Sequence, residues 1–223
     1  MNWVAVPKRP VITQTIKTVA SEIKTKILGK REEKRIGATL AYTINKIEDN
    51  FRKGKQIRTD NFFQSKSNDR TPGEEIYEGT LIAAQKEHEE KKLKYYGNLL
   101  ANLGFDNSFD KAQANLFLKV AQELTYRQLC ILSLIPKKNQ FSLRQSDYRG
   151  QNVANGKLIV LLQEINDLYI MGLTNGSDDA YLSLSDVNPS KIGIQGTGVY
   201  LHNLMELHEI PNSDLQDIAD LLI

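Results

Sequence analysis

The chain holds little of what most catalytic and metal chemistry is built from: one cysteine, one tryptophan, three histidines and three methionines in 223 residues. A lone cysteine excludes an internal disulfide and a zinc site made of cysteine pairs. Cys130 sits between Leu129 and Ile131-Leu132. That setting marks a buried structural thiol, because reactive thiolates favour polar, accessible sites. Histidine is as sparse. A ferritin-like centre needs Glu-x-x-His on two helices, but Gln85 stands three residues before His88, so His88 reads as a packed or surface histidine. His202 and His208 are six apart, which puts them on different faces of one continuous helix. No metal is expected. Nucleophilic triads need a held base, and the sequence has no Gly-x-Ser-x-Gly elbow. Gly193-Ile-Gln-Gly196-Thr-Gly198 lacks the lysine of a phosphate loop and the full dinucleotide spacing. Turn and helix-start chemistry accounts for it. These absences predict a protein that is not an enzyme and carries no cofactor.

Long apolar runs are also missing. The longest are a few residues, such as Leu158-Ile159-Val160-Leu161-Leu162, against the roughly 20 a spanning helix needs. Pro7, Lys8, Arg9 and Pro10 occupy the place of a signal peptide's apolar stretch, so no secretion is expected. With the lone cysteine, this predicts a cytoplasmic protein.

What the chain does have is charge, unevenly placed. Residues 1–70 hold 16 Lys/Arg against 7 Asp/Glu, a balance of +9. Residues 71–223 hold 13 against 20, a balance of −7, which leaves the whole chain at +2. Such a division points to an anionic partner for the front, or to attraction between the two halves. The 40% hydrophobic and 25% charged fractions are ordinary for a globular chain, and the length suits one large domain or two small ones.

Helical periodicity dominates. From Val11 to Leu28, Ile12, Ile16, Val19, Ile23 and Ile27 form one apolar stripe, with Lys17, Lys24 and Lys26 off it. A second helix, Arg31 to Phe51, carries Ile36, Leu40, Ile44 and Ile47 on one face. Arg31, Lys34 and Arg35 crowd its start against the macrodipole, partly offset by Glu32 and Glu33; one continuous helix through Gly29 would remove the conflict. Residues 52–70 read as a polar linker pinned by Phe62-Phe63. Thr71-Pro72-Gly73-Glu74 is a capping box with proline at the first helical position. The helix it opens is expected to run to about Leu103, exposing Glu87/Lys91 and Glu90/Lys94 as surface pairs. Further helices follow from Asp110 to Glu123 and, behind a second capping box at Thr125-Tyr-Arg-Gln128, to near Pro136. Beyond it, Phe141-Ser-Leu143-Arg144 alternates as a short strand, Lys157–Met171 is helical, and Tyr181–Leu184 and Ile192–Ile194 read as strands. Thr197-Gly198 opens another helix and Ser213 caps a last one.

The order from Thr125 to Leu207 (helix, short strand, helix, strand, turn, strand, helix) resembles a winged helix. The residues that carry the likeness are Tyr169-Ile-Met-Gly-Leu173 and Ile194-Gln-Gly-Thr-Gly-Val-Tyr-Leu201, and the match covers about a third of the chain. The segment Glu74–Ile135 is similar to uncharacterised helical proteins of bacterial genomes and prophages, which brings no activity with it. The fold class expected is therefore mainly α: a basic N-terminal helical arm and linker at 1–70, a helical bundle at 71–136, and at 137–223 a winged-helix-like α+β module with a small β-hairpin.

A DNA-reading winged helix presents polar and basic side chains from its second helix. Here that helix offers Lys157, Gln163 and Asn166 beside Glu164 and Asp167, and the wing carries Asp178 and Asp179, which phosphates repel. The leading expectation is thus an interaction, adaptor or regulatory protein of bacterial or phage origin. Its C-terminal module makes protein contacts, and its apolar first helix serves another protein or self-association. A nucleic-acid-binding regulator is the alternative. Its contacts would be Lys24, Lys26, Lys30, Arg31, Lys34, Arg35, Arg52, Lys53, Lys55 and Arg58, with Phe62, Phe63 or Tyr42 stacking on bases, together with Arg144, Arg149 and Lys157. A second alternative places the basic helix on an anionic membrane surface.

Overall fold

The computed structural model describes residues 10–25, 28–64, 69–151, 155–176 and 183–223. Lys26, Ile27, Asp178, Asp179, Tyr181 and the side chain of Lys24, all named above, lie outside the described residues. Among the described residues the chain is mainly helical with one small antiparallel sheet, and it divides into two compact units, Met1–Glu123 and Leu124–Ile223. The expected break at residue 136 therefore falls at 123/124, and the basic front is part of the first unit.

In the first unit, α1 (Pro10–Lys24) and α2 (Lys30–Arg52) are separate helices. The break comes from Glu32, whose carboxylate accepts the Gly29 N–H at 2.6 Å and starts α2 afresh. The α1 stripe is not left open. Ile12, Ile16, Val19 and Ile23 are buried, and α1 packs on α3 (Pro72–Lys86). A helix whose apolar side is covered by its own chain is no free arm, and the sequence-based partner for it is corrected accordingly. α3 begins as the sequence dictates: Thr71 Oγ1 accepts the Glu74 N–H and the Glu74 carboxylate accepts the Thr71 N–H.

The expected single helix from 71 to 103 is in fact two. α3 stops at Lys86, Glu87 turns to extended backbone, and α4 resumes at Leu93–Leu103. α2 lies closely against α4 because Gly97 lets it: a Cβ there would sit 2.6 Å from Tyr42 Cβ and 3.0 Å from the Thr43 amide nitrogen. α5 (Lys111–Glu123) packs on α3 and α4, and Asp110 and Gln113 cap it reciprocally.

The second unit opens on α6 (Tyr126–Leu134) with the expected Thr125/Gln128 capping box. No strand forms at 141–144. Leu143 is buried, but the Arg144 N–H bonds to the Leu222 carbonyl, so the alternation reflects packing and not sheet pairing. α7 (Gly156–Ile170) buries Leu161, Leu162, Ile165 and Leu168. The sheet pairs β1 (Thr174–Asn175) with β2 (Gly193–Ile194), Thr174 opposite Ile194. Leu184–Asp186 forms a short helical turn at the end of the strand expected at 181–184, of which residues 181–182 lie outside the described residues. α8 (Gly196–Leu204) follows β2 directly. Its glycines are filled by the chain itself: a Cβ at Gly198 would lie within 3 Å of the Leu173 carbonyl, whose oxygen already accepts the Gln195 N–H. The last helix, α9 (Asn212–Leu221), starts after Pro211, without a side-chain cap from Ser213. Among the described residues, no helix is long and apolar enough to cross a membrane.

Candidate functional site

Charge follows the two units. Met1–Glu123 holds 22 Lys/Arg against 16 Asp/Glu, and Leu124–Ile223 holds 7 against 11. The first is net basic and the second net acidic.

On the first unit the candidate cations separate into three kinds. Lys30, Arg31 and Lys34 project from the opening turns of α2, exposed and without an ion pair among the described residues. Arg35 is half-buried and donates to the Gln85 carbonyl at 3.2 Å. At the far end of α2, Arg52, Lys53 and Lys55 are exposed, and Lys53 pairs with Asp49 at 2.7 Å. Lys53 and Lys46 hold the Asp49 carboxyl below the usual carboxylate range. The two exposed groups are about 27 Å apart, from Lys34 to Arg52 along the helix.

Arg58 is a correction. Its guanidinium is buried and grips Asp60 with two bonds, Nε to Oδ1 at 2.8 Å and Nη2 to Oδ2 at 2.5 Å. It also donates to the Leu103 and Phe109 carbonyls, at 3.2 and 2.7 Å, and lies 4.1 Å over the Phe62 ring. Four of the five guanidinium N–H donors go to internal acceptors, and the buried group is withdrawn from any phosphate at the surface. The Arg58 bond keeps the Asp60 carboxyl low. Phe62 and Phe63 are corrected too. They stack edge-on at 5.1 Å, and Phe63 meets Tyr77 at 6.2 Å, inside the core. Of the three proposed stacking rings, only Tyr42 faces solvent.

One polar network escaped the sequence reading. Lys92, 2% exposed, places Nζ 2.6 Å from Glu87 Oε2 in the break between α3 and α4. Tyr96 donates its hydroxyl to the same carboxylate oxygen at 3.1 Å, and the Glu89 N–H donates to the other at 3.0 Å. Burial pushes the Glu87 carboxyl up, but these three donors outweigh it and hold it below its ordinary range. The five-residue spacing was the signal missed, since no continuous α-helix brings such a pair face to face. All acceptors here are taken, so the network holds the fold together and offers no chemistry to a ligand. His88, beside it, is exposed.

On the second unit, Arg149 pairs with Asp186 at 2.7 Å, and Arg144 donates from Nε to the Ser146 and Asp147 carbonyls with its guanidinium 4.8 Å from the Tyr148 ring centre. Lys157 alone of the three is exposed without an ion pair among the described residues. The histidine expectation also changes. α8 ends at Leu204, and Glu206 takes a left-handed conformation (φ 54°), so the chain doubles back. The His202 and His208 rings then lie 6.2 Å apart, centre to centre. Burial, with minor help from His208 and Lys137, makes His202 less basic than an ordinary histidine. Among the described residues, no three His, Cys, Asp or Glu side chains gather as a metal site.

The most distinctive surface is apolar. The exposed side of α7 carries Ile159, Val160 and Ile170, continued by the capping residue Met171, around Gln163 and Asp167, and Ile170 is 71% exposed. Val199 and Tyr200 on α8 are exposed as well. Monomeric surfaces seldom concentrate large apolar side chains in this way. No protein-family model, curated protein or solved structure matches the chain.

Proposed function

We propose that this is a non-enzymatic, cytoplasmic interaction or regulatory protein whose second unit is a winged-helix-like module used for protein contacts. The observation that carries the reading is the outer face of α7. A DNA-reading helix presents donors and positive charge to the groove. Here that face is Ile159, Val160, Gln163, Asp167, Ile170 and Met171, with Lys157 exposed in the first turn and Arg127 taken up by an ion pair with Glu164 at its edge. The order α6, α7, β1, β2, α8 supports the module assignment.

Site-specific photocross-linking tests the reading. A photoreactive phenylalanine analogue replaces Val160 or Ile170 in the full chain, in cells that naturally make it, with exposed Lys119 on α5 as the control position. Covalent polypeptide adducts at 160 and 170, but not at 119, are expected. Adducts no stronger than at the control position sink the reading.

A second reading rests on Lys30, Arg31 and Lys34, three exposed cations within two helical turns and without ion pairs among the described residues. It makes α2 a phosphate-backbone contact. Each neutralised phosphate adds about −0.9 to the log-log salt slope on duplex DNA. Reversing all three to Glu should flatten that slope by roughly three such increments, and an unchanged slope excludes the site.

A further inference from the structure

We infer that the outer face of α7 docks a second copy of this chain, antiparallel across a two-fold axis. The inference rests on the protein-contact reading above and names the partner. At about 100° per residue, Ile159, Val160, Gln163, Asp167, Ile170 and Met171 share one side of the helix, opposite the buried Leu161, Leu162, Ile165 and Leu168. These six positions have a symmetry of their own. Counted from Ile165, position 159 mirrors 171, 160 mirrors 170, and 163 mirrors 167. The stripe therefore reads apolar pair, polar pair, apolar pair from either end.

An isologous contact needs such a self-complementary surface, because each residue meets the mirror position on its partner. Laid antiparallel, Ile159 of one copy faces Met171 of the other, Val160 faces Ile170, and Gln163 faces Asp167. Within one chain Gln163 Nε2 already donates to Asp167 Oδ1 at 2.7 Å. The same bond can be exchanged between copies, so the polar centre stays satisfied in the dimer. Charge agrees at the ends. Lys157, in the first turn of α7, comes to the carbonyl end of the partner helix, where a cation is favoured. A parallel pairing would set Asp167 against Asp167 and Lys157 against Lys157.

Other occupants fit less well. A nucleic acid would meet Lys157 beside Asp167 on this face, with Arg127 already paired to Glu164, and a lipid surface would have to bury Asp167 amid the stripe. One helix face falls short of the about 800 Å² per partner that a stable interface covers. The dimer is accordingly weak, with a dissociation constant on the order of tens of micromolar.

Sedimentation velocity of the full chain, from about 1 to about 500 µM, spans that dissociation constant and reads the equilibrium directly. The wild-type chain should pass from monomer to dimer, and Ile170→Glu should weaken the dimer at least about tenfold, as expected for a carboxylate placed in an apolar contact, with unchanged circular dichroism. Val160→Glu is the second variant and should do the same. Register is tested by mild oxidation of cysteine variants. A mixture of Val160→Cys and Ile170→Cys chains should form a 160–170 disulfide dimer faster than either variant alone. A monomer at every concentration overturns the inference, as does a dimer indifferent to both Glu variants or faster self-linking of Val160→Cys. A monomer that still photocross-links to a different protein overturns the dimer and leaves the protein-contact reading standing.

Discussion

The buried Lys92–Glu87 pair gives the sharpest prediction about what holds the first unit together. Replacing Lys92 by Met keeps the side-chain volume and removes the ammonium, leaving a carboxylate in the core with two donors, the Glu89 N–H and the Tyr96 hydroxyl. Removing one partner of a buried pair costs about 3–5 kcal/mol. The surviving hydrogen bonds place the expected loss near the lower end, about 3 kcal/mol. In a unit of this size that lowers the midpoint of thermal unfolding by about 10 °C. Glu87→Gln combined with Lys92→Met removes both charges and should lie within about 1 kcal/mol of wild type. The interaction energy in the double-mutant cycle would then exceed about 1.5 kcal/mol. Urea unfolding followed by circular dichroism at neutral pH measures all four corners. The sign of the pH dependence is a second check. In the wild-type chain the Glu87 carboxyl is lower when folded than the ordinary glutamate value of 4.5, so its contribution is present above that pH and fades on acidification. Without Lys92, burial is the dominant effect and the carboxyl rises, so the penalty of Lys92→Met should shrink as pH falls toward 4.5. A single-variant loss below about 1 kcal/mol, or strictly additive losses, would mean that water reaches the pair and that the reasoning fails.

Two further outcomes are expected. Gly97→Val should destabilise the chain by about 1–3 kcal/mol, since its side chain would drive α2 away from α4, whereas Gly37→Ala, with nothing within 4 Å of the added carbon, should gain up to about 1 kcal/mol; thermal melts that rank the two the other way would show the helices are not in close contact. His202, made less basic by burial, should weaken the fold as pH drops below the ordinary histidine value of 6.5, because the unfolded chain takes up the proton first; urea midpoints at pH 7.5 and 5.5 that respond identically in wild type and His202→Gln would refute it.

Much of the helical skeleton was written locally, and that part was legible. The Thr71 and Thr125 capping boxes sit where the sequence puts them, because a cap needs only its own four residues. The apolar stripes of α1 and α2 likewise pointed inward as their spacing requires. The misses share a physical origin in distant partners. Lys86–Leu93 has strong helix formers and surface-type charge pairing, yet the chain breaks there so that Glu87, Lys92 and Tyr96 can meet in the core. Arg58 looked like one of a run of solvated cations. Its fate is set by carbonyls at positions 103 and 109 that no window around it contains. Leu143 alternates with polar neighbours because it packs, and the neighbouring Arg144 amide goes to the Leu222 carbonyl and not to a strand. At the candidate surface, the scarcity of cations on α7 was readable from sequence. The exposure of Ile159, Val160, Ile170 and Met171 needed the fold, since the neighbouring leucines are equally apolar and only packing decides which side is covered.

The clasp formed by Arg58 and Phe62 has a consequence for how this chain can vary. A stretch joining two helices and fastened near its middle is two short excursions in place of one long one. Chain-closure entropy grows only with the logarithm of length, so residues added on either side of the fastening disturb one excursion and leave the other alone. Length changes between Gly54 and Ile57, or after Gln64, should therefore be tolerated far better than any change of spacing between Arg58 and Phe63.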